Sequence, residues 1–147
     1  VEPAAVAAQA GRLLRLQGTV PATQVQRRIM EQYGERETVS RRARYVLRSF
    51  LDWGVLRESG TKGIYSQGDV VVVDDDRLTA WLAEAALYVR PGGSGPLKEL
   101  MASPSFFPFR FARVRADSIS DASSRLDVFR LGMDDDLLVL RKTNRNE

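Results

Sequence analysis

The chain contains no cysteine and no histidine. The first absence excludes disulfides, thiolate nucleophiles and cysteine-based zinc sites, and the second excludes His-dependent triads and His-ligated metals. Long apolar runs are also absent, because the Ala-rich opening at residues 4–16 is interrupted by Gln9, Gly11, Arg12 and Arg15. That stretch is too short to span a bilayer and lacks the order of a signal peptide. We therefore expect a cytoplasmic protein that does not contact a membrane.

The short motifs of common enzymes are absent too. The chain has no glycine-rich phosphate loop, no Gly-x-Ser-x-Gly elbow and no pair of carboxylates in a recognisable catalytic frame. Two aspartate triplets, at residues 74–76 and 134–136, lack the spacing of a calcium loop, and three adjacent side chains cannot all face one ion. The first triplet is explained as the N-cap and first turn of a helix, and the second triplet is explained as a turn. The sequence predicts no enzymatic activity, no metal site and no cofactor.

Lysine is scarce, and 19 of the 22 basic residues are arginine. Residues 1–68 hold eleven basic and six acidic side chains, a net charge of +5. Residues 69–147 hold eleven basic and thirteen acidic side chains, a net charge of −2. For a chain of 147 residues, this asymmetry indicates a small basic domain over residues 1–68 and an extension over residues 69–147.

Five of the arginines lie between Arg36 and Arg48, in a segment with a strong helical period. Arg41, Arg44 and Arg48 follow the spacing i, i+3, i+7 and project from one side of a helix. The opposite side carries the apolar residues Val39, Ala43, Val46, Leu47 and Phe50. Such a helix docks on a core and offers cations to an anionic partner, of which nucleic acid is the first candidate. A solvated charged face is the alternative interpretation.

The elements around this helix follow a fixed order. Two earlier helical segments are predicted to end at Gly18 and Gly34, with residues 19–21 as a short extended link between them. The arginine-bearing helix follows, with Thr38 or Ser40 as its expected N-cap. Residues 55–66 then read as two short strands around a glycine-rich turn, which predicts a β-hairpin.

In this order of elements, residues 6–67 resemble a winged helix-turn-helix domain, the fold of many prokaryotic DNA-binding regulators. Residues 19–21 match the small strand before the second helix, residues 36–50 match the recognition helix, and residues 53–56 match the entry to the wing. The resemblance implies an α+β fold of three helices plus a β-hairpin, followed by a small C-terminal helix and strand extension. It also implies a DNA-binding protein, a prokaryotic regulator or accessory factor, with duplex DNA as its partner.

Docking of this helix in a major groove assigns a role to each polar residue on it. The N-terminal half of a recognition helix faces the base edges, which is where Thr38, Ser40, Arg41 and Arg44 lie. Arg42 and Arg48 are better placed for phosphates. The candidate nucleic-acid-binding residues are Ser40, Arg41, Arg42, Arg44, Tyr45, Arg48 and Lys62.

The remaining candidates lie beside the arginine stripe or outside this helix. Tyr45 is placed for a phosphate or a thymine methyl group, and Lys62 at the hairpin tip for a minor groove or a phosphate. An ordinary hairpin turn would also carry Lys62. Gln24, Arg27 and Arg28 on the second helix are weaker candidates for phosphate contact.

The extension over residues 69–147 is predicted to contain one buried strand and one amphipathic helix. The strand is the valine run at residues 70–73, and the helix covers residues 76–89. The helical period places Leu78, Trp81 and Leu82 on a face that packs against the domain or against a second copy. Through this part we expect a homodimer or a protein partner.

The rest of the extension is less regular. Residues 91–96 form the clearest break, residues 125–131 and 137–140 read as two strands with helix as the alternative, and the phenylalanine-rich residues 106–111 are expected to pack. A second functional hypothesis uses this stretch. In this hypothesis, the winged helix is a protein-interaction module within a larger assembly. The arginine helix binds an acidic protein, and residues 106–111 form an apolar contact surface.

Overall fold

The computed structural model describes residues 2–133 and 135–141 and has the predicted mixed α+β composition. The chain forms two compact units, one of Val1–Val71 with Pro104–Arg110 and one of Val72–Ser103 with Phe111–Glu147. This division differs from the predicted boundary after residue 68, because residues 104–110 belong with the first unit rather than with the extension. The described helices are all too short or too polar to cross a bilayer.

The first unit contains three helices and a three-stranded antiparallel sheet. Its elements are α1 (Pro3–Gln17), β1 (Val20–Pro21), α2 (Ala22–Tyr33), α3 (Glu37–Asp52), β2 (Leu56–Glu58) and β3 (Ile64–Gln67). Strands β2 and β3 form the predicted hairpin, with Arg57 opposite Ser66, and β1 adds to the free side of β3, with Val20 opposite Tyr65. The sheet order is therefore β1-β3-β2.

One apolar core joins the three helices to the sheet. Leu13, Val25, Ile29, Leu47, Phe50 and Leu56 are buried in this core. Leu14 and Val46 are only partly buried and pack against the edge of the core. The core also receives Phe107 from the returning segment, whose ring meets the Phe50 ring edge-on with centroids 5.7 Å apart. This contact explains why residues 104–110 belong to the first unit.

The helix ends follow local backbone chemistry. Gly18 ends α1 in a left-handed conformation, φ 76°, and its N–H donates to the carbonyl of Leu14. The expected N-cap of α3 was wrong: the helix begins at Glu37 after Arg36, which makes no side-chain capping bond, and both Thr38 and Ser40 lie inside the helix. The carboxylate of Glu37 in the first turn supplies favourable charge there instead.

The second unit is built from short elements. They are the end of β4 (Val71–Val73), α4 (Asp76–Tyr88), β5 (Ser94–Pro96), α5 (Leu97–Met101), the end of β6 (Phe109–Phe111), α6 (Ala116–Ala122), β7 (Leu126–Arg130) and β8 (Asp136–Leu140). Strands β5, β8 and β7 form an antiparallel sheet in that order, and β4 pairs with β6. The strand interpretation of residues 125–131 and 137–140 is confirmed, and the predicted break at residues 91–96 contains a strand.

One prediction for this part was wrong. The valine strand is not buried as a whole, because Val71 and Val72 are exposed and only Val73 is buried. In α4 the buried residues are Thr79, Ala80, Ala83 and Leu87, whereas Leu78 and Trp81 are exposed and Leu82 is half-buried. Packing of this face against a second copy stays a prediction. The first aspartate triplet caps this helix as expected, since the carboxylate of Asp75 accepts from the N–H groups of Arg77 and Leu78. Part of the second triplet, residue 134, lies outside the described residues.

An ion pair joins the ends of β7 and β8. The guanidinium of Arg141 donates from Nε to Oδ2 of Asp127 at 3.2 Å and from Nη2 to Oδ1. The hydrogen bond from Arg141 lowers the pKa of Asp127; desolvation opposes this shift, and the positive charge of Arg141 adds to it. The same bond raises the pKa of Arg141.

We predict that Asp127→Asn destabilises the protein at neutral pH and not in strong acid. A carboxyl whose pKa is lowered by folding contributes stability above its unfolded pKa of about 3.9, and this contribution is lost as pH falls through the lowered pKa. Urea unfolding of parent and variant at pH 7, 4 and 2 measures this, with the exposed Asp121→Asn as a control. A stability difference of the same size at pH 2 and pH 7 would contradict the prediction.

Gly11 marks the closest approach of α1 to the segment at residues 104–107. A Cβ at this position would overlap the carbonyl oxygen of Pro104 and lie 2.9 Å from Cβ of Phe107. Gly→Ala in a helix interior otherwise stabilises by about 1 kcal/mol. Overpacking costs about 1–3 kcal/mol, so we predict that Gly11→Ala lowers the free energy of unfolding. The neighbouring exposed Arg12→Ala is the matched control in chemical denaturation, and a more stable Gly11→Ala variant would refute the packing argument.

Candidate nucleic-acid interface

The arginine stripe of α3 is held on the surface by the burial of the opposite face. Val39, Ala43, Leu47 and Phe50 are all at most 8% exposed. Their spacing of i, i+4, i+8, i+11 fixes the rotation of the helix about its axis. The side chains of the stripe therefore project outward, and Arg41, Arg44 and Arg48 are all exposed.

The other predicted residues of α3 differ in accessibility. Tyr45 is 64% exposed and lies beside the stripe, and Arg42 is exposed as well. Ser40 is half-buried, so its hydroxyl presents less surface to a ligand than the arginines do. The described part of α3 thus offers four arginines and one phenol to solvent along about two turns.

An open cavity of about 370 Å³ lies on the same surface of the first unit. Its lining residues are Ala22, Arg41, Arg44, Tyr45, Leu47, Arg48 and Tyr65. The structure therefore brings together four predicted residues, the arginine stripe and Tyr45, whereas Ser40, Arg42 and Lys62 do not line the cavity. Sequence analysis missed Tyr65, which comes from β3. The predicted hairpin could have indicated it, since the returning strand of a hairpin that follows α3 directly must lie close to that helix.

The stripe is only partly neutralised. Nη2 of Arg41 pairs with Oε1 of Glu37 at 3.2 Å, one helical turn earlier, and both side chains are well exposed. Exposed pairs of this kind contribute about 0–1 kcal/mol. Within the described residues no carboxylate, that of Asp52 one turn after Arg48 included, lies within ion-pair distance of Arg44 or Arg48. Two adjacent guanidinium groups are thus left for an external anion.

The hairpin tip presents Lys62 on a well-defined turn. The hydroxyl of Ser59 donates to the carbonyl of Ile64 at 2.6 Å and accepts from the N–H of Thr61 at 3.3 Å. Gly60 and Gly63 have φ values of 97° and 79°, which favour glycine. Lys62 is exposed at this turn.

Two of the three weaker candidates on α2 are hydrogen-bonded to α1. Nη1 of Arg28 donates to Oε1 of Gln9 at 3.4 Å, and Oε1 of Gln24 accepts from Gln17 at 2.9 Å. The third candidate, Arg27, is exposed.

The phenylalanine-rich stretch is mostly an internal element. Phe106 is buried, and Phe107 packs against the core of the first unit. Phe109 is 38% exposed. The expectation of packing is therefore confirmed for the first two phenylalanines.

No model of a known protein family, no curated protein and no solved structure matches this chain.

Proposed function

We propose that the first unit is a winged helix-turn-helix domain that binds duplex DNA, with α3 as its recognition helix. The order helix, strand, helix, helix, hairpin supports the fold assignment, as does the addition of β1 to the hairpin. The observation that carries the functional proposal is the exposed row of Arg41, Arg44 and Arg48, two of which have no carboxylate partner in the described chain. A prokaryotic regulator or accessory factor is the class of protein that this domain suits.

The row of arginines suits the two kinds of contact that a duplex offers. Guanidinium groups bind phosphate oxygens as charge-assisted, often bidentate donors, and they pair with O6 and N7 of guanine in the major groove. Ser40 and Arg41 lie in the N-terminal half of α3, which faces base edges in such complexes. Arg42 and Arg48 take the flanking phosphates, and Tyr45 contacts a phosphate or a thymine methyl group.

The hairpin extends the same contact surface. Lys62, on the turn held by Ser59, reaches a phosphate or the adjacent minor groove when α3 occupies the major groove. The net charge of +5 on residues 1–68 adds a long-range attraction that accelerates encounter with a polyanion.

A protein-interaction module in a larger assembly is the second candidate. There α3 would meet an acidic protein, and the exposed part of residues 106–111 would add an apolar contact. Burial of Phe106 and packing of Phe107 remove half of the phenylalanines from that surface. The arrangement therefore favours DNA over a protein partner for α3.

We predict that the triple variant Arg41→Ala, Arg44→Ala, Arg48→Ala loses most of its affinity for duplex DNA at low salt. Each arginine that contacts phosphate contributes about one unit to the slope of log K against log salt, and each that reads guanine contributes about 1–3 kcal/mol of discrimination. Fluorescence anisotropy with a random-sequence duplex at two salt concentrations measures both effects. Circular dichroism checks that the variant folds.

A matched control removes the same charge elsewhere. Arg77, Arg115 and Arg125 are exposed and lie in the second unit, so their triple replacement by alanine should leave affinity within about twofold. If both triple variants lost the same affinity for duplex DNA, the loss would be due to net charge and not to the position of the arginines on α3. An unchanged affinity in the α3 variant, or a parent protein that does not bind duplex DNA, would remove the proposal.

We further predict that Glu37→Gln tightens binding to duplex DNA. The substitution releases Arg41 from its partner and removes a negative charge that would lie beside a phosphate. Since exposed ion pairs contribute up to about 1 kcal/mol, the expected gain is at most about fivefold. The exposed Glu31→Gln on α2 removes the same charge and is the control in the anisotropy titration. Weaker binding by Glu37→Gln alone would show that the pair positions Arg41 for binding.

A further inference from the structure

The tip of the hairpin between β2 and β3 combines two glycines with a set of hydrogen bonds across the turn. Gly60 and Gly63 flank Thr61 and Lys62, and both glycines have left-handed φ values. A Cβ at either glycine would meet nothing within 4 Å, so packing around the tip does not restrict its backbone. Since glycine has more conformational freedom than any other residue, the shape of the tip depends on its hydrogen bonds.

Ser59 provides the side-chain hydrogen bonds of this turn. Its hydroxyl donates to the carbonyl of Ile64 at 2.6 Å and accepts from the N–H of Thr61 at 3.3 Å. The backbone N–H of Ser59 donates to the same carbonyl of Ile64 at 3.2 Å, and the N–H of Ile64 donates to the carbonyl of Thr61 at 3.1 Å. One hydroxyl therefore binds the chain on both sides of Lys62.

The far side of the tip is tied to α2. The carbonyl of Gly63 accepts from the N–H of Ala22, the first residue of α2, at 2.8 Å, and Ile64 lies opposite Pro21 in the sheet. Ala22 lines the same cavity as the arginine stripe. The α2 contact thus fixes the residue that follows Lys62, and the hydroxyl of Ser59 binds the residue that precedes it.

We propose that Ser59 is a positioning residue that acts through Lys62. It holds the backbone of residues 60–63 in the conformation that contacts DNA, so that the turn does not have to become ordered on binding. Lys62 is exposed, and in the part of the chain that the structure describes its ammonium group has no carboxylate within ion-pair distance. The position of Lys62 therefore depends on the backbone that Ser59 holds. This inference rests on the proposed binding of duplex DNA.

The energetic reason is preorganisation. Association loses free energy for every loop and side chain that becomes ordered at the interface, and a turn that is already ordered avoids part of this loss. Two glycines around a single cationic residue would otherwise make that loss large for one phosphate contact. A turn residue with a purely structural role would change the stability of the hairpin. A positioning residue changes the affinity for DNA, and it does so only while Lys62 is present.

The first measurement is made without DNA. In Ser59→Ala the N–H of Thr61 loses its acceptor, so its amide hydrogen should exchange with solvent faster than in the parent protein. The amides of α3 should exchange as before. Thr61→Ala is the matched control, because it also removes a hydroxyl from the tip but keeps the backbone N–H of residue 61 and the hydroxyl of Ser59. The amide of residue 61 should keep its parental exchange rate in this control.

The second measurement is a double-mutant cycle in DNA affinity. Fluorescence anisotropy with a random-sequence duplex, over a range of salt concentrations, compares the parent protein with Ser59→Ala, Lys62→Ala and the double variant. Lys62→Ala should lower the slope of log K against log salt by about one unit. Ser59→Ala should weaken binding about two- to tenfold, and it should lower the same slope by part of that unit. The double variant should bind as Lys62→Ala does, because Ser59 acts through Lys62.

Two further variants separate the hydroxyl of Ser59 from general changes at the tip. Ser59→Thr keeps a hydroxyl at this position and should retain the parental affinity and salt slope. Thr61→Ala should bind duplex DNA within about twofold of the parent protein, as expected for an exposed side chain outside the contact. Circular dichroism checks that every variant folds.

Several results would overturn the inference. An unchanged exchange rate of the Thr61 amide in Ser59→Ala would do so without any reference to DNA. With a parent protein that binds duplex DNA, it would also be overturned by parental affinity in Ser59→Ala, by additive losses in the double variant, or by a Ser59→Thr variant as weak as Ser59→Ala. Parental affinity in Lys62→Ala would remove the residue through which Ser59 acts and leave the assignment of α3 intact. A parent protein that does not bind duplex DNA would instead remove the proposed function itself.

Discussion

Burial of one face of α3 is the constraint on which the interface depends. Val39, Ala43, Leu47 and Phe50 anchor the helix to the core of the first unit. Full burial of a large apolar side chain contributes about 1.5–3 kcal/mol, whereas an exposed ion pair contributes at most about 1 kcal/mol. Packing therefore decides the orientation of the helix, and the electrostatic cost of a cationic stripe is too small to change it. The position of the arginines on the surface follows from the apolar repeat.

The same core determines what surrounds the stripe. The hairpin leaves α3 directly, and pairing of β3 with β1 returns the chain to the start of α2, which places Tyr65 at the cavity that the arginines line. The first unit thus concentrates its charge beside a concave surface. The second unit carries exposed apolar side chains on α4, among them Trp81, Tyr88 and Val89.

Sequence periodicity was informative where one face of an element is strongly apolar. It placed the arginine stripe on α3 and the hairpin after it, because a strong helical period and glycine-rich turn chemistry are local. It missed Tyr65, whose position depends on long-range strand pairing. In α4 it did not single out the buried face of Ala80 and Ala83, because that face has the same helical period as the face of Trp81. It could not show that residues 104–110 pack in the first unit. This packing requires a residue without a side chain at position 11, because a Cβ there would meet Pro104 and Phe107.

We propose that α3 and the hairpin tip contact duplex DNA, and NMR can locate this contact. The isotopically labelled full chain is titrated with a short random-sequence duplex, and the chemical shifts of its backbone amides are followed. We expect the largest shift changes at residues 38–48 and 61–63, and we expect them to reverse when salt is raised, because phosphate contacts release counterions. Shift changes confined to the second unit, or none at a duplex concentration of about 1 mM, would refute the proposed contact.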